Sequence, residues 1–240
     1  MKELPKHVKS VYQNGYARMD EFDQDPRLEI VRNIIFSHPF RKNPKLLDLG
    51  CGDGTFIINV AKKLQSTNVY GIDIAQDAIK KAIRNKIHGV VMDIDEEHLP
   101  YKDNMFDLVV CGNLIELVLN ADHLLQETRR VLNKNGTAIF TFPNIAAWGS
   151  RIALFAGYLP FFSRISTQYD LGKMTGRIKK GNSTGFIRLL TLQSFSDLAR
   201  LHGLKVNITK GSIEQSLPSY IRSLDEFISK EPISKLGISY

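Results

Sequence analysis

The sequence predicts an α/β fold built on a doubly wound, mostly parallel sheet with helices on both faces. Between residues 45 and 142, apolar runs typical of buried strands alternate with segments of helical periodicity. A turn with glycines at alternate positions follows the first apolar run. Acidic residues stand at or beside the ends of the first three strands. Together these features predict a ligand site at the carboxyl edge of the sheet.

The predicted elements alternate along the chain. A proline at the start and apolar residues at helical spacing predict the first helix. Continuous apolar runs predict the strands, because the strands of a parallel sheet are buried on both faces. The elements are helix 26–38, strand 45–49, helix 56–64, strand 69–73, helix 75–85, strand 90–93, strand 106–111, helix 121–132 and strand 137–142.

The last third of the chain has a different character. A helix is predicted at 145–158, with several aromatic residues, and a basic loop that contains glycines follows it to residue 185. We expect this insertion after strand five to act as a helical and loop lid. The remaining predicted elements are helix 191–202, strand 204–209, helix 217–229 and a short strand at 235–240, which brings the sheet to seven strands.

Composition indicates one domain, because 240 residues with 43% hydrophobic residues suffice for a single sizeable core. Its expected parts are N-terminal cap helices at 1–40, a cofactor-binding core at 45–144, the lid at 145–190 and a sheet edge at 191–240. The N-terminus does not resemble a signal peptide, and two cysteines do not make a disulfide framework. A cytoplasmic location is therefore expected. The net charge of +7 leaves a peripheral membrane contact open.

The glycine turn predicts a cofactor site. Gly50, Gly52 and Gly54 let the backbone approach a ligand, and the helix that follows presents unpaired N–H groups. The pattern is G-x-G-x-G, whereas dinucleotide-binding folds carry G-x-G-x-x-G. Asp48 and Asp53 would repel a pyrophosphate. These carboxylates suit a ligand with positive charge and no phosphate, such as S-adenosylmethionine.

Two further acids agree with this interpretation. Asp73 ends the second strand about 20 residues after the glycine turn, at the position where folds of this kind hold ribose hydroxyls. Asp93 ends the third strand and is suited to accept a hydrogen bond from the amino group of adenine.

Several segments match a known family as a set, in order and in spacing. They are LLDLGCGDG (46–54), GID (71–73), MDI (92–94), FDLVVCGNLIE (106–116) and LLQETRRVLNKNGTAIFTFPN (124–144). On these motifs the chain resembles the class I S-adenosylmethionine-dependent methyltransferases, whose fold is Rossmann-like. The resemblance covers roughly residues 45–144.

The resemblance implies a cofactor role for each matching position. Asp48 and the glycine backbone would hold the methionine portion, and Asp73 would hold the ribose. Ile74 would pack against the adenine, which Asp93 and Ile94 would also hold. The full implied set is Asp48, Gly50, Cys51, Gly52, Gly54, Asp73, Ile74, Asp93, Ile94 and Asn113.

By the same resemblance, Asn113 would lie beside the reacting methyl group or the amino acid part of the cofactor. An N-terminal segment that contains Tyr12, Tyr16 and Arg18 would close over the cofactor, with ordinary helix packing as the alternative for the two tyrosines.

A general base is not identified by the sequence. Many relatives carry a histidine at the position of Phe186, and they carry L-E-H where this chain has Ile115-Glu116-Leu117. The remaining candidates are Glu116, His123, Tyr169 and Asp170, each more typical of a structural role. No metal site is predicted.

The expected activity is methyl transfer to a small molecule, apolar or lipid-like, because aromatic residues between Trp148 and Phe162 suggest a lid that encloses an apolar acceptor. The alternative is a MetW-like regulator that binds the cofactor and acts through a partner, in which case these aromatics would form an exposed patch. Nucleic acid is disfavoured as a substrate, since CGNLIE does not match the N/D-P-P-Y motif of amino-group methylation. A protein arginine methyltransferase would show paired glutamates, and only Glu116 is present.

Overall fold

The computed structural model describes most of the central chain. The described residues are 26–95, 97–160, 162–163, 165–166, 169–174, 176, 179–180, 186–211 and 237–239. The predicted N-terminal closure by Tyr12, Tyr16 and Arg18 and the predicted helix 217–229 lie outside these residues.

Helices and strands alternate along the chain as expected. The helices are α1 (Pro26–Ser37), α2 (Thr55–Leu64), α3 (Gln76–Arg84), α4 (Ala121–Val131), α5 (Trp148–Phe155) and α6 (Leu192–Leu201). The strands are β1 (Lys45–Leu49), β2 (Asn68–Asp73), β3 (His88–Val91), β4 (Phe106–Gly112), β5 (Leu132–Thr141), β6 (Tyr169–Asp170), β7 (Lys179–Lys180), β8 (Lys205–Ile208) and β9 (Gly237–Ser239).

Seven of these strands form one sheet in the order β3-β2-β1-β4-β5-β9-β8. The first five are parallel, and β9 pairs antiparallel with both β5 and β8. The fold class is therefore confirmed as an open, mostly parallel, Rossmann-like sheet. The strand order reverses between β1 and β4, and in such sheets ligands bind at the carboxyl ends of the strands beside this reversal.

Buried side chains on both faces of the sheet explain the continuous apolar runs. Along β4, Val109 and Cys111 belong to one hydrophobic cluster, while Leu108 and Val110 belong to the other. Successive side chains of a strand point to opposite faces, so the central part of β4, residues 108–111, is apolar at every position. No helix in the described part of the chain is long and apolar enough to cross a membrane.

Three boundaries differ from the prediction. Strand β3 ends at Val91, so Asp93 lies in the loop beyond it. Strand β5 begins at Leu132, and its pairing with β4 is irregular between Phe106 and Leu108, which absorbs the polar residues expected to form a turn. Helix α5 is shorter than the predicted 145–158 because it begins only at Trp148.

A small second sheet lies inside the insertion, where the sequence predicted only a loop. Strand β6 pairs antiparallel with β7, Tyr169 opposite Lys180 and Asp170 opposite Lys179. The division of the chain into cap, core, lid and sheet edge stays a prediction.

Candidate functional site

The glycine turn between β1 and α2 uses its glycines for backbone conformation. Gly50, Gly52 and Gly54 have φ of 74°, 57° and 79°, in the left-handed region where other residues are strained. A Cβ on Gly54 would stand 2.0 Å from Cδ1 of Ile87, so both strain and space select glycine there. The N–H groups of Gly50 and Cys51 donate to the carbonyl of Ile72 at 2.8 and 3.0 Å, which ties the turn to β2.

Asp73 fastens the same turn from the end of β2. Its Oδ2 accepts the N–H of Gly52 at 2.9 Å, and its Oδ1 accepts the N–H of Ala75 at 2.8 Å. The residue is 5% exposed. A carboxylate offers about four lone-pair sites, so one such group can accept backbone donors and ligand donors together.

Asp48 is buried on β1 beside this turn. Its carboxyl accepts no hydrogen bond from the residues that the structure describes, and burial together with the nearby Asp73 raises its pKa to about 8. Taking a carboxylate out of water without a partner disfavours its charged form. A cation next to Asp48 would stabilise the ionised carboxylate, so this site favours a positively charged ligand.

Asp93 and Asp95 shape the loop that follows β3. Oδ1 of Asp93 accepts the N–H of Asp95 at 3.1 Å. The two carboxylate oxygens of Asp95 accept the N–H groups of Leu119 and Asn120 at 3.0 and 2.9 Å. Asp95 therefore joins the loop after β3 to the segment that leads into α4.

Asn113 follows β4 in a left-handed conformation, with φ of 50°. Its N–H donates to the carbonyl and to Oγ1 of Thr141, at 3.0 and 3.1 Å. The Thr141 hydroxyl donates to Oδ1 of Asn113 at 3.2 Å, which fixes the orientation of the amide. Thr141 was not predicted as a site residue, although a polar residue at the end of the strand next to β4 is a signal for one.

These side chains surround one cavity of about 280 Å³ at the carboxyl ends of the parallel strands. Eight of the ten predicted cofactor residues line it, and Gly52 and Gly54 do not. The lining residues are Leu28, Val31, Asp48, Gly50, Cys51, Phe56, Ile72, Asp73, Ile74, Met92, Asp93, Ile94, Asp95, Val110, Gly112, Asn113, Leu114, Leu117, Val118 and Thr141.

The charge of the cavity has one sign. Its described lining holds four aspartates and no lysine, arginine or histidine. A phosphate would meet only like charge there, whereas a sulfonium or an ammonium group would meet opposite charge. The chemistry of the lining therefore fits S-adenosylmethionine and does not fit a dinucleotide.

Cys51 is a packed thiol in this cavity. Burial and the charges of Asp48 and Asp73 raise the pKa of its thiol far above the usual range. A Cβ added at Gly71 would stand 2.6 Å from Sγ of Cys51, so the two small residues fit against each other. A neutral thiol is a poor nucleophile.

The candidate bases do not line the cavity among the described residues. Glu116 is 1% exposed, and its backbone carbonyl accepts the N–H groups of Ile187 and Arg188 at 2.8 and 3.1 Å. Nε2 of His123 lies 3.1 Å from the carbonyl of Glu97, on the surface. Tyr169 is exposed on β6.

The insertion does not enclose the cavity. None of its described residues lines it, and Phe155 is 97% exposed. Trp148 lies under the guanidinium of Arg151, 5.0 Å from ring centre to carbon, and Phe162 packs against Phe186 at 6.5 Å. The expectation that the aromatics between Trp148 and Phe162 line a cavity is wrong for this structure. Helix α5 buries Ser150 and Ala153 and exposes Leu154 and Phe155 at its end.

Comparisons with known proteins agree with this geometry. The model of a methyltransferase domain matches residues 40–165. The chain is 32% identical over 145 residues to the mitochondrial arginine-hydroxylase NDUFAF5 of Homo sapiens, covering 57% of this chain and 42% of that protein. It is 27% identical over 140 residues to malonyl-[acyl-carrier protein] O-methyltransferase of Geobacter sulfurreducens, covering 56% and 52%. The matches thus span about half the length of these curated relatives or less.

A solved structure resembles the chain over nearly its whole length. It is the putative methyltransferase in complex with the Trm112 methyltransferase activator of Haloferax volcanii. The TM-score is 0.67 at 14% identity, and the match covers 99% of this chain and 98% of that one. At this identity the likeness concerns the fold alone.

Proposed function

The chain belongs to the methyltransferase-domain family, and we propose that it transfers the methyl group of S-adenosylmethionine to a small, apolar, lipid-like acceptor. Its cofactor is S-adenosylmethionine, as in solved methyltransferases of the same fold. The observation that carries the proposal is the cavity at the carboxyl edge, with four aspartates and otherwise mostly apolar walls.

The acids of the cavity supply the cofactor contacts in this proposal. Asp73 accepts the ribose hydroxyls, since it lines the cavity and a carboxylate oxygen can accept more than one donor. Asp48 balances the positive charge of the cofactor, which offsets the cost of ionising a buried carboxyl. Asp93 and Ile94 contact the adenine, as their place in the lining supports.

Bound S-adenosylmethionine would supply an activated methyl group: the acceptor's nucleophile bonds to the methyl carbon in line with the breaking S–C bond, and S-adenosylhomocysteine leaves as a neutral thioether. The protein then has to orient the acceptor and exclude water. Asn113, held by Thr141, is positioned to orient polar groups at the end of β4. Leu114, Leu117 and Val118 form an apolar wall next to it, which favours an apolar acceptor.

Proton removal has few candidates along the lining. Its described titratable groups are Cys51 and the four aspartates. An acceptor that arrives already ionised needs no base.

A second candidate function is that of a cofactor-binding protein that works only through a partner. The outward-facing apolar residues of α5 favour it, since a lid that seals an acceptor would turn them inwards. The Haloferax volcanii neighbour, which occurs in a complex with an activator, also fits this alternative.

An acceptor panel tests the proposal. Purified protein is incubated with S-adenosylmethionine and with matched pairs of acceptors that share one nucleophile and differ only in an alkyl or isoprenoid tail. We expect S-adenosylhomocysteine to form with the tailed member of a pair and to rise with tail length.

Asp73→Ala serves as the negative control for background turnover. Preference for the tail-free acceptors, or hydroxylation of a peptide arginine in place of methyl transfer, would contradict the proposal. Turnover of the same acceptors only after adding a copurified protein would support the second candidate.

A further inference from the structure

The net charge of the chain is concentrated in the insertion. Residues 145–190 contain seven lysines and arginines and one aspartate, while the other 194 residues contain 25 lysines and arginines and 24 acids. Almost the whole excess of +7 therefore lies in less than a fifth of the sequence. The insertion is a locally cationic element attached to a nearly neutral domain.

The same insertion exposes large apolar side chains. Phe155 is 97% exposed, Leu154 53%, Met174 50% and Tyr158 43%. Helix α5 also exposes Arg151, which is three and four residues before Leu154 and Phe155 and so shares their side of the helix. Exposed apolar groups that lie together, bordered by cations, mark an interaction surface.

Hydrogen bonds hold these groups in one unit. The N–H of Leu159 donates to the carbonyl of Gly172 at 2.7 Å. Nζ of Lys173, whose side chain is 5% exposed, donates to the carbonyls of Pro160 and Ser163. The turn after α5 is thereby fastened to the segment that carries Met174.

The paired strands β6 and β7 place two more cations in the insertion. Lys179 and Lys180 form β7, which pairs with Tyr169 and Asp170. Strand β6 begins three residues before Gly172, whose carbonyl binds the N–H of Leu159. Because β7 pairs with β6, its backbone lies next to this hydrogen-bonded segment.

We propose that the insertion docks on an anionic lipid bilayer through the exposed Leu154, Phe155, Tyr158 and Met174, which Arg151 and the basic β7 segment accompany. Phenylalanine, leucine and methionine side chains enter the acyl boundary, tyrosine suits the headgroup level, and lysine and arginine attract anionic lipids. Each cation near such a surface adds to binding.

A membrane fits these groups better than nucleic acid does. Single strands bind basic grooves in which aromatic side chains stack on bases. Here two of the four apolar groups, Leu154 and Met174, are aliphatic and offer no stacking face.

The inference rests on the proposed function for its purpose, because docking would bring the cavity to a lipid-like acceptor dissolved in the bilayer. Binding to vesicles can be measured without turnover, so the failure of one proposal is distinguishable from the failure of the other. Vesicle binding without methyl transfer would leave docking intact and count against the acceptor. Methyl transfer to the tailed acceptors without vesicle binding would support the acceptor and overturn docking.

The test is cosedimentation of the full chain with vesicles of phosphatidylcholine alone or mixed with phosphatidylglycerol. We expect binding to the mixed vesicles, with weaker binding in high salt. Phe155→Ser should reduce the partition coefficient about tenfold, since it removes one large apolar side chain that the proposal buries in the bilayer. Lys179→Gln with Lys180→Gln should reduce it about thirtyfold, at about fivefold for each charge.

Matched variants away from the surface serve as controls. Leu201→Ser removes an apolar side chain that is 81% exposed on α6, and Lys62→Gln with Lys63→Gln removes the same charge from α2. Both should bind like the unchanged protein. The proposal is overturned by absence of binding to mixed vesicles, by equal losses in the control variants, or by binding of an oligonucleotide in place of vesicles.

Discussion

The parallel core and the insertion treat their polar groups in opposite ways. In the core, the buried carboxylates of Asp73, Asp107 and Glu127, though not that of Asp48, are bound by several donors before any ligand arrives. Asp107 accepts from Nε of Arg41, from the N–H of Lys45 and from Nδ2 of Asn133, at 2.7, 2.7 and 2.6 Å. The insertion instead exposes apolar side chains and unbalanced positive charge. The preorganised core suits a cofactor of fixed shape, whereas the exposed apolar side chains of the insertion suit contact with another molecule or surface.

Glu127 is the sharpest example of the core's arrangement. It is 3% exposed and accepts hydrogen bonds from Nε and one terminal nitrogen of Arg130, at 2.8 and 2.7 Å, and from the N–H of Leu99 at 2.7 Å. Burial alone would raise its pKa, but the bonds from Arg130, His98 and Leu99 lower it to about 2. Its contribution to stability is therefore present above its unfolded pKa and is lost as the pH falls towards 2.

The largest expected effect tests whether the core depends on such contacts. Glu127→Ala should lower the free energy of unfolding by about 2–3 kcal/mol, because the half-buried Arg130 and the N–H of Leu99 lose a charged acceptor. Urea denaturation measures the loss. His98→Ala, which removes the exposed partner of the same carboxylate, should cost less than about 1 kcal/mol.

The insertion provides the contrasting variant. Phe155→Ser should leave the free energy of unfolding within about 0.5 kcal/mol, because its side chain is almost fully exposed. If Phe155→Ser destabilised the protein as much as Glu127→Ala, the contrast between the two regions would be lost.

The sequence predicted the core well because its signals are local. Continuous apolar runs predicted the five parallel strands. Asp48 lies one residue before the end of β1 and Asp73 is the last residue of β2, so both are buried beside the glycine turn. Eight of ten cofactor candidates therefore line one cavity, although their individual contacts stay a prediction.

The insertion resisted prediction for a physical reason. Apolar periodicity identifies the apolar side of α5, but whether that side is covered depends on tertiary contacts that a short helix does not encode. Thr141 was missed because its role exists only through the neighbouring Asn113, which is 28 residues away in the chain.

A second prediction concerns Asp73. Asp73→Ala should weaken the binding of S-adenosylmethionine tenfold to a hundredfold, about 1.5–3 kcal/mol, because a charged acceptor of the ribose is lost. It should also lower stability by about 1–3 kcal/mol, since the N–H groups of Gly52 and Ala75 lose their acceptor.

Calorimetry measures the affinity, and thermal unfolding measures the stability. Asp77→Ala is the matched control, because that aspartate lies four residues later on the surface of α3. Unchanged affinity in a folded Asp73→Ala protein would remove Asp73 from the cofactor site.

A smaller effect is expected from pH. The pKa of Asp48 is raised to about 8, so its carboxyl is protonated in the cofactor-free protein near neutrality and ionises as the pH rises. A cationic ligand prefers the ionised form. Affinity for S-adenosylmethionine should therefore increase from pH 6 to pH 8 and then level off.

The raised pKa of Asp48 has the opposite consequence for the stability of the cofactor-free protein, which should fall as the pH rises. The unfolded chain ionises Asp48 near its ordinary pKa, so the free protein should lose stability as the pH rises from about 4 to about 8. Asp48→Asn should make both the affinity and the stability less dependent on pH. Because the ligand titrates identically with both proteins, the difference between their profiles reports Asp48 alone. Parallel pH profiles for the two proteins would contradict the assignment.

The most direct test of the acidic cavity is competition for bound, labelled S-adenosylmethionine. Our account predicts saturable binding at one site per chain, displacement by S-adenosylhomocysteine, and no displacement by NAD at the same concentrations, because the pyrophosphate of NAD would meet four aspartates and no cation in the described lining. Displacement by NAD, or undiminished S-adenosylmethionine binding when Asp48 and Asp73 are both replaced by alanine in a folded protein, would contradict it.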